Sequence, residues 1–181
     1  KKPIFLSVGY ASCHWCHVMA HESFENQNTA TIMNEKFINI KVDREERPDL
    51  DHVFQKSLAI LTGTSGGWPL SMFLDENGVP FSGGTYFPPK EMYGRPSFVN
   101  ILNQVSEFYE KNRDKIIQQE SQIKTAFQQT QKKSSVINQN LTSHLESMLG
   151  YIDYEWGGFK GSPKFPQFYV FESFLHFYKK T

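Results

Sequence analysis

The feature that most constrains this chain is a pair of cysteines, separated by two residues, that follows directly on an apolar run. Residues 3–10 are mostly apolar, and Cys13-His14-Trp15-Cys16-His17 comes next, ahead of a stretch with helical spacing. A strand that delivers a CxxC pair to the start of a helix is the usual setting of a redox-active dithiol. The pattern therefore predicts an α/β fold with this pair at the end of a strand.

The expected position of Cys13 at the helix terminus assigns the two sulfurs different roles. Unpaired backbone N–H groups and the positive end of the helix dipole favour a thiolate there. A free thiol with a pKa of about 8.5 is only about 3% ionised at neutral pH, whereas a pKa about two units lower makes thiolate the majority form. We therefore predict Cys13 as the nucleophile and Cys16 as the resolving thiol. This interpretation requires the Cys13 sulfur to be accessible to solvent and within bonding reach of Cys16.

Composition narrows the class of protein. The 181 residues carry 19 basic and 19 acidic side chains, so no global field attracts nucleic acid or an anionic membrane. No run approaches the roughly 20 apolar residues of a membrane span. Both cysteines lie in the one CxxC pair, which suits a reducing compartment and predicts a cytoplasmic location. The chain lacks an initiating Met, and we interpret it as a piece of a longer protein.

The apolar periodicity predicts the order βαβαββα for the first part of the chain. The first strand is apolar on both faces and is expected to be central. The first predicted elements are a strand at 3–9, a helix from 13 to 21 or 24, a helix at 28–36 capped by Asn26 or Asn28, and a strand at 37–42. A helix from Pro48 that stops at Gly63 follows. The last elements are a hairpin of strands at 70–74 and 79–81, with Pro80 at the sheet edge, and one long helix from Ser97 to about Phe127.

The predicted domains are 1–131 for the α/β part, 132–137 for a polar linker, and 138–181 for a second part. In this second part, two helices are expected at about 138–151 and 168–178, joined by a Gly-rich loop. Two helices cannot bury so many aromatic side chains alone. We therefore expect residues 138–181 to be the first helical hairpin of a truncated all-α domain.

Five blocks of this sequence, in order, resemble the thioredoxin superfamily and, more narrowly, its thioredoxin-domain family of unknown function, DUF255. The blocks lie at 13–19, 41–49 (Lys-Val-Asp-Arg-Glu-Glu-Arg-Pro-Asp), 66–70 (Gly-Gly-Trp-Pro-Leu), 83–89 (Gly-Gly-Thr-Tyr-Phe-Pro-Pro) and 157–166. The resemblance implies a thioredoxin-like fold, a central mixed sheet, followed by an (α/α) toroid similar to those of sugar epimerases and glycosidases.

The resemblance also implies a substrate-binding surface. Pro69 would follow a cis peptide bond and face the CxxC pair, so that an extended substrate pairs with the exposed backbone before it. Gly67 and Trp68 would form part of that surface. Tyr86 is expected either to line the cleft or to belong to a Gly-rich turn that ends an edge strand. The chain departs from many thioredoxins at Ser7, where those proteins carry a buried acid that accepts the proton of the second cysteine, and at Ser12, where they carry Trp.

The residues around the cysteines allow more than one interpretation. His14 either stabilises the neighbouring thiolate as an imidazolium or is a solvated side chain without effect. Trp15 is expected either to recognise substrate or to pack against the Trp68 loop. With His17 the motif reads CxxCH, which attaches haem in small helical proteins, but the preceding strand and the α/β alternation argue against haem. A zinc site built from the thiolates with His17 or His21 would still need a fourth ligand.

The sequence hypothesis is thus a thiol-disulfide oxidoreductase domain. It requires no metal, nucleotide or flavin, but it needs a protein or small-thiol disulfide substrate and a recycling partner. Two alternatives stay open at this stage. One is a non-catalytic or regulatory docking domain of a carbohydrate-active enzyme with its chemistry in the toroid, and the other is a metal-binding module. The charged run 43–49 is interpreted as an ordinary loop whose Arg and Glu residues pair with each other and cap the next helix.

Overall fold

The computed structural model describes residues 1–92, 94–130, 141–162, 164 and 167–178. The expected linker at 132–137 and the residues Pro163, Phe165 and Pro166 of the fifth block lie outside the described residues. The chain divides into two compact units, Lys1–Gln131 and Lys132–Thr181.

The first unit is built on a four-stranded mixed sheet with the order β2-β1-β3-β4. The strands are β1 (Ile4–Gly9), β2 (Ile38–Asp43), β3 (Leu70–Leu74) and β4 (Pro80–Gly84). β1 pairs with β2 in parallel and with β3 antiparallel, and β3 pairs with β4 antiparallel. The predicted central position of the first strand and the edge position of the Pro80 strand are therefore confirmed.

Successive side chains of β1 and β3 point to opposite faces of the sheet, and each face has its own core. α3 (Pro48–Thr62) covers one face, and α4 (Phe98–Lys111) covers the other. The first core contains Leu6, Val8, Leu70, Met72, Leu74, Phe54 and Leu58. The second contains Phe5, Phe37, Phe73, Phe81, Phe98, Leu102, Tyr109 and Ile116, among others. A central strand between two cores gives the CxxC pair a rigid base.

The helices near the sheet begin and end where the capping residues predict. Asn26 caps α2 (Gln27–Lys36) through hydrogen bonds that its side chain accepts from Asn28 and Thr29. α3 ends at Gly63, whose φ of 73° is left-handed, and Ser97 caps α4. α1 (His14–Met19) continues without a break into a π-helical turn, Ala20–Phe24.

Two predictions about elements are wrong. The expected single helix after Ser97 is two helices, α4 and α5 (Arg113–Thr130), because Asn112 leaves the helical region at φ −127° and ψ 40°. Its backbone N–H and its side-chain amide both donate to the carbonyl of Phe108, at 2.9 and 3.3 Å, and so close the end of α4. The alternation of apolar and polar residues over 37–42 predicts one buried face for β2, and this is also wrong, because Ile38 and Ile40 are both exposed at the sheet edge and Phe37 is a buried helix cap.

The second unit contains α6 (Leu141–Leu149) and α7 (Phe168–Tyr178). Between them Lys164 binds the carboxylate of Asp153 at 2.6 Å and donates to the carbonyls of Gly157 and Phe159. This ion pair lowers the pKa of Asp153 to about 2. In the part of the chain that the structure describes, no helix is long and apolar enough to cross a membrane.

Candidate active site

The cysteine pair lies at the end of the central strand, in the turn that begins α1. The backbone N–H of Cys13 donates to the carbonyl of Tyr10 at 3.1 Å, one residue after β1 ends. Cys13 is the N-cap of α1, and its sulfur accepts a hydrogen bond from the backbone N–H of Cys16 at 3.2 Å. The predicted contact between a helix-terminal amide and the Cys13 sulfur is therefore present.

The two sulfurs are joined in a disulfide, with an S–S distance of 2.04 Å and a Cα–Cα distance of 5.3 Å. The required bonding reach is met, but the required accessibility is not. Cys13 is only 3% exposed, whereas Cys16 is half-buried. The expectation of an open Cys13 sulfur is wrong for the disulfide form, in which that sulfur bonds Cys16 and caps the helix.

The side chains beside the cysteines face outward. His14 and His17 are exposed, and Trp15 is 52% exposed. Nε2 of His17 lies 2.7 Å from the carbonyl oxygen of Ala11. A carbonyl can only accept, so Nε2 of His17 carries a proton in this contact. The Trp15 ring lies 5.0 Å from the Tyr86 ring, between centroids, and 5.6 Å from that of His14.

The Trp68–Pro69 peptide bond is cis, as the resemblance implies, and Pro69 is fully buried before β3. Gln55 of α3 supports this loop through a hydrogen bond to the Gly67 carbonyl at 3.4 Å. The loop carries two of the predicted substrate-binding residues into a neighbouring cavity.

That cavity has a volume of about 710 Å³ and brings four predicted residues together: Trp15, Gly67, Trp68 and Tyr86. Its other walls are Glu22, Thr85, Pro88, Met92 and Arg95, none of which the sequence interpretation named as a site residue, although Thr85 and Pro88 belong to the block 83–89. Cys16 and His17 instead line a separate cavity of about 420 Å³, which also contains Ser7, Lys41, Asp43 and Glu46. His14, Cys13 and Pro69 line neither of these two cavities.

Glu22 and Tyr86 form a polar contact in the wall of the larger cavity. The Tyr86 hydroxyl donates to the Glu22 carboxylate at 2.6 Å, and partial burial together with that carboxylate raises the pKa of Tyr86 to about 12. Tyr86 therefore stays protonated and acts as a donor at physiological pH. The two residues are 64 positions apart, so no local pattern could reveal their pairing.

The charged run 43–49 is a strand end and a turn before α3, as expected, but its ion pairs are not the expected ones. Arg47 pairs with Asp49, and Arg44 pairs with Asp51, so the arginines bind aspartates rather than the expected glutamates. The Arg44 guanidinium also lies 4.0 Å from the centroid of the Trp68 ring. The side chain of Arg47, the N-cap of α3, makes no capping hydrogen bond.

Among the described residues, no group of three or more His, Cys, Asp or Glu side chains is arranged to hold a metal ion. His21, a zinc-ligand candidate from the sequence, lies 2.7 Å from the Glu25 carboxylate through its Nδ1.

The family model Thioredox_DsbH, described as "Protein of unknown function, DUF255", matches residues 1–128. The chain belongs to the DUF255 family. The matched residues contain the whole mixed sheet, the CxxC disulfide and both cavities described above. This DUF255 chain therefore has a thioredoxin-like α/β fold, followed by further helices, and its first unit is a thiol-disulfide-oxidoreductase-like domain.

Relatives of this DUF255 chain include an uncharacterized protein of Caenorhabditis elegans, B0495.5, which is 44% identical over 172 residues. Spermatogenesis-associated protein 20 of Homo sapiens is 39% identical over 176 residues. Each match covers 92% of this chain but only 23% and 22% of the relative, respectively. The chain thus spans less than a quarter of the length of these relatives.

Among solved structures, "DsbH Oxidoreductase" aligns with a TM-score of 0.41 and 16% identity over 61% of this chain and 74% of its own. A disulphide isomerase from Xylella fastidiosa Temecula1 aligns with a TM-score of 0.38 and 18% identity, over 45% of this chain and 60% of its own.

Proposed function

We propose that this DUF255 domain exchanges thiols and disulfides with a protein or small-thiol substrate through Cys13 and Cys16. The single observation that carries the proposal is the Cys13–Cys16 disulfide at the start of α1, at the end of the central strand. The cis peptide bond before Pro69 and the aromatic cavity lined by Trp15, Trp68 and Tyr86 support it, because they supply a surface for an extended substrate.

In the reducing direction, the Cys13 thiolate attacks one sulfur of a substrate disulfide. A mixed disulfide forms, and the other substrate sulfur leaves as a thiolate that takes a proton from water. Cys16 loses its thiol proton and attacks the Cys13 sulfur, which closes the Cys13–Cys16 disulfide and releases the second substrate sulfur as a thiolate. Two electrons pass to the substrate, so an external dithiol must reduce the domain again. In the opposite direction an external disulfide serves as the oxidant.

The first turn of α1 supports Cys13 as the nucleophile. The Cys16 N–H that donates to the Cys13 sulfur stabilises a thiolate more than a thiol, because hydrogen bonds to ionised groups are the stronger ones. Since Cys13 is 3% exposed in the disulfide form, exchange there requires this turn to move. Ser7 cannot take the Cys16 proton as an acid would, but Asp43, Glu46 and His17 line the same cavity as Cys16.

Reduction of insulin disulfides tests this function, with Cys13→Ser and Cys16→Ser as the two variants. We expect both variants to lose turnover, and only Cys16→Ser to accumulate a mixed disulfide that mass spectrometry locates on Cys13. Alkylation of Cys13 should reach half its maximal rate below about pH 7.5. A midpoint at or above that of a free cysteine, about 8.5, or trapping on Cys16 instead, would refute the role of Cys13.

The burial of Cys13 favours a second candidate, a regulatory or docking domain in a longer carbohydrate-active enzyme. Here the second unit would begin the (α/α) toroid and would hold the chemistry, which is an argument from fold analogy. This candidate predicts a folded protein whose insulin reduction does not exceed that of Cys13→Ser, with a Cys13 thiol that titrates like a free cysteine.

A further inference from the structure

We propose that Arg44 and Asp51 are positioning residues that hold Trp68, the residue before the cis peptide bond, in the orientation that a protein substrate meets. The proposal rests on the thiol-disulfide exchange proposed above and names part of its substrate recognition. Neither residue touches the sulfur atoms in the contacts described, and both act through the Trp68 ring.

Asp51 lies on the first turn of α3 and is 7% exposed. One carboxylate oxygen accepts a hydrogen bond from the Trp68 indole N–H at 2.8 Å, and the other lies 3.5 Å from Nε of Arg44. A buried carboxylate is costly unless both oxygens have partners. Here the two partners are the indole and the guanidinium, so Asp51 fixes them relative to each other.

Arg44 closes the arrangement from above the ring. Its guanidinium carbon lies 4.0 Å from the centroid of the Trp68 ring and 5.5 Å from that of Tyr10, while the Tyr10 and Trp68 rings meet edge to face at 5.9 Å. A cation over an indole face is the strongest common cation–π pair. Three sides of the Trp68 ring are thus defined by Asp51, Arg44 and Tyr10.

The same residues connect the Pro69 loop to the CxxC turn. The backbone N–H of Arg44 donates to the carbonyl of Gly9 at 2.9 Å, and the Tyr10 carbonyl accepts from the N–H of Cys13 at 3.1 Å. Trp68 itself lines the cavity of about 710 Å³. One cluster therefore fixes both the chain that leads to Cys13 and the ring on the substrate-facing wall.

Stability alone does not account for this choice of residues. A buried ion pair is seldom more stabilising than apolar side chains of the same volume. A carboxylate with two directed partners nevertheless does what apolar packing cannot, since it sets the plane and the N–H direction of the indole. The cluster is suited to orienting a binding surface, so its loss should weaken substrate binding more than sulfur chemistry.

The test uses two substrates, insulin and the small molecule bis(2-hydroxyethyl) disulfide. Each is assayed with the wild-type protein and with the variants Asp51→Ala, Asp51→Asn and Trp68→Phe. We expect Asp51→Ala to raise the KM for insulin about tenfold while kcat stays within about twofold, because a displaced Trp68 ring weakens the binding of substrate and of transition state alike. The rate with the small disulfide and the alkylation rate of Cys13 should not change. Asp51→Asn, which keeps an oxygen for the indole, should have a smaller effect.

Asp49→Asn is the matched control, because Asp49 belongs to the same charged run but is exposed and pairs with Arg47. It should leave both substrates unaffected. The double variant Asp51→Ala/Trp68→Phe should raise the KM for insulin no further than the stronger single variant does, because each single variant already removes the same hydrogen bond between the indole and the carboxylate. If Asp51→Ala does not fold, Asp51→Asn and Trp68→Phe carry the same comparison.

Equal losses with both substrates, or no change with insulin, would overturn the positioning role. Wild-type protein that reduces the small disulfide but not insulin would also overturn it, while leaving thiol exchange intact. Wild-type protein that reduces neither substrate and traps no mixed disulfide would instead refute the proposed function from which the inference starts.

Discussion

At the scale of single residues, Gly9 is a position beside the disulfide where a side chain would not fit. A Cβ added there would lie 2.8 Å from the Cys16 sulfur and 3.4 Å from its Cβ. We expect Gly9→Ala to destabilise the oxidised protein by about 1–3 kcal/mol, since the closely packed turn must shift to admit a methyl group. Urea unfolding with the disulfide intact measures this change. Gly150→Ala is the control, because its Cβ would meet nothing closer than the Ser147 carbonyl at 3.7 Å; equal effects of the two substitutions would contradict the prediction.

The residues of the site differ in how far the sequence could predict them. Cys13 and Cys16 could be predicted because their signal is local, a CxxC pair after a strand, whereas the role of Pro69 is implied only by the resemblance of its block to the DUF255 family. Asp51 could not be predicted from its neighbours, because it accepts a hydrogen bond from the indole of Trp68, which lies 17 positions away in the chain. Its place in the first turn of α3 is also what an acidic residue facing the helix dipole would take, and that simpler interpretation concealed the indole contact.

At the scale of elements, the start of α2 offers a direct test of a cap. The sequence allowed Asn26 or Asn28, and the structure places the Asn26 side chain 3.1 Å from the backbone nitrogens of both Asn28 and Thr29. Asn26→Ala should lower the free energy of unfolding by about 0.5–2 kcal/mol, because two helix-terminal N–H groups lose their acceptor. Thermal or urea unfolding measures the change, and Asn28→Ala should have the smaller effect. A larger loss from Asn28→Ala would identify the wrong residue as the cap.

The turn between β3 and β4 is tied to both long helices through Glu76. Its carboxylate accepts from the Tyr109 hydroxyl of α4 and from Arg113 of α5, the latter at 2.6 Å. These hydrogen bonds lower the pKa of Glu76 to about 2. A lowered pKa means that the contribution is complete above the unfolded value and is lost as pH falls toward the folded one.

We therefore expect wild type to unfold at a higher temperature than Glu76→Gln above about pH 5, with a difference that shrinks as pH falls toward about 2. Thermal unfolding followed across that range measures it. Glu107→Gln is a useful comparison, since Glu107 pairs only within α4, with Lys111, and both side chains are exposed. If the difference in unfolding temperature between wild type and Glu76→Gln grows as the pH falls, the Glu76 carboxylate does not stabilise the fold as predicted.

The elements also show where pattern reasoning fails. A single apolar stripe runs through Val105, Tyr109, Ile116 and Ile123, and these side chains are buried as the stripe requires. The stripe nevertheless could not reveal that the helix breaks at Asn112, because the break lies in the backbone angles of that one residue and leaves the apolar spacing unchanged. In β2, edge position rather than sequence decides that Ile38 and Ile40 are exposed.

At the scale of the whole molecule, the described chemistry belongs to one of the two units. The disulfide, both cavities near it and the cluster around Trp68 all lie within Lys1–Gln131, and the family match ends at residue 128. The second unit instead exposes large aromatic side chains, with Tyr154 82%, Trp156 76% and Phe168 77% exposed. A surface of this kind is unusual on a soluble unit that functions alone.

We therefore predict that a chain ending at Gln131 unfolds cooperatively and reduces insulin at a rate within about twofold of the 181-residue chain, because it keeps both cores of the sheet and every residue of the proposed site. It should also bind less of an apolar dye such as anilinonaphthalene sulfonate, because the exposed rings have been removed. Urea unfolding, the insulin assay and dye fluorescence measure the three outcomes. Loss of cooperative unfolding or of the insulin reaction would mean that the first unit depends on residues 132–181. An unchanged dye signal would mean that the apolar binding surface lies on the thioredoxin-like unit itself.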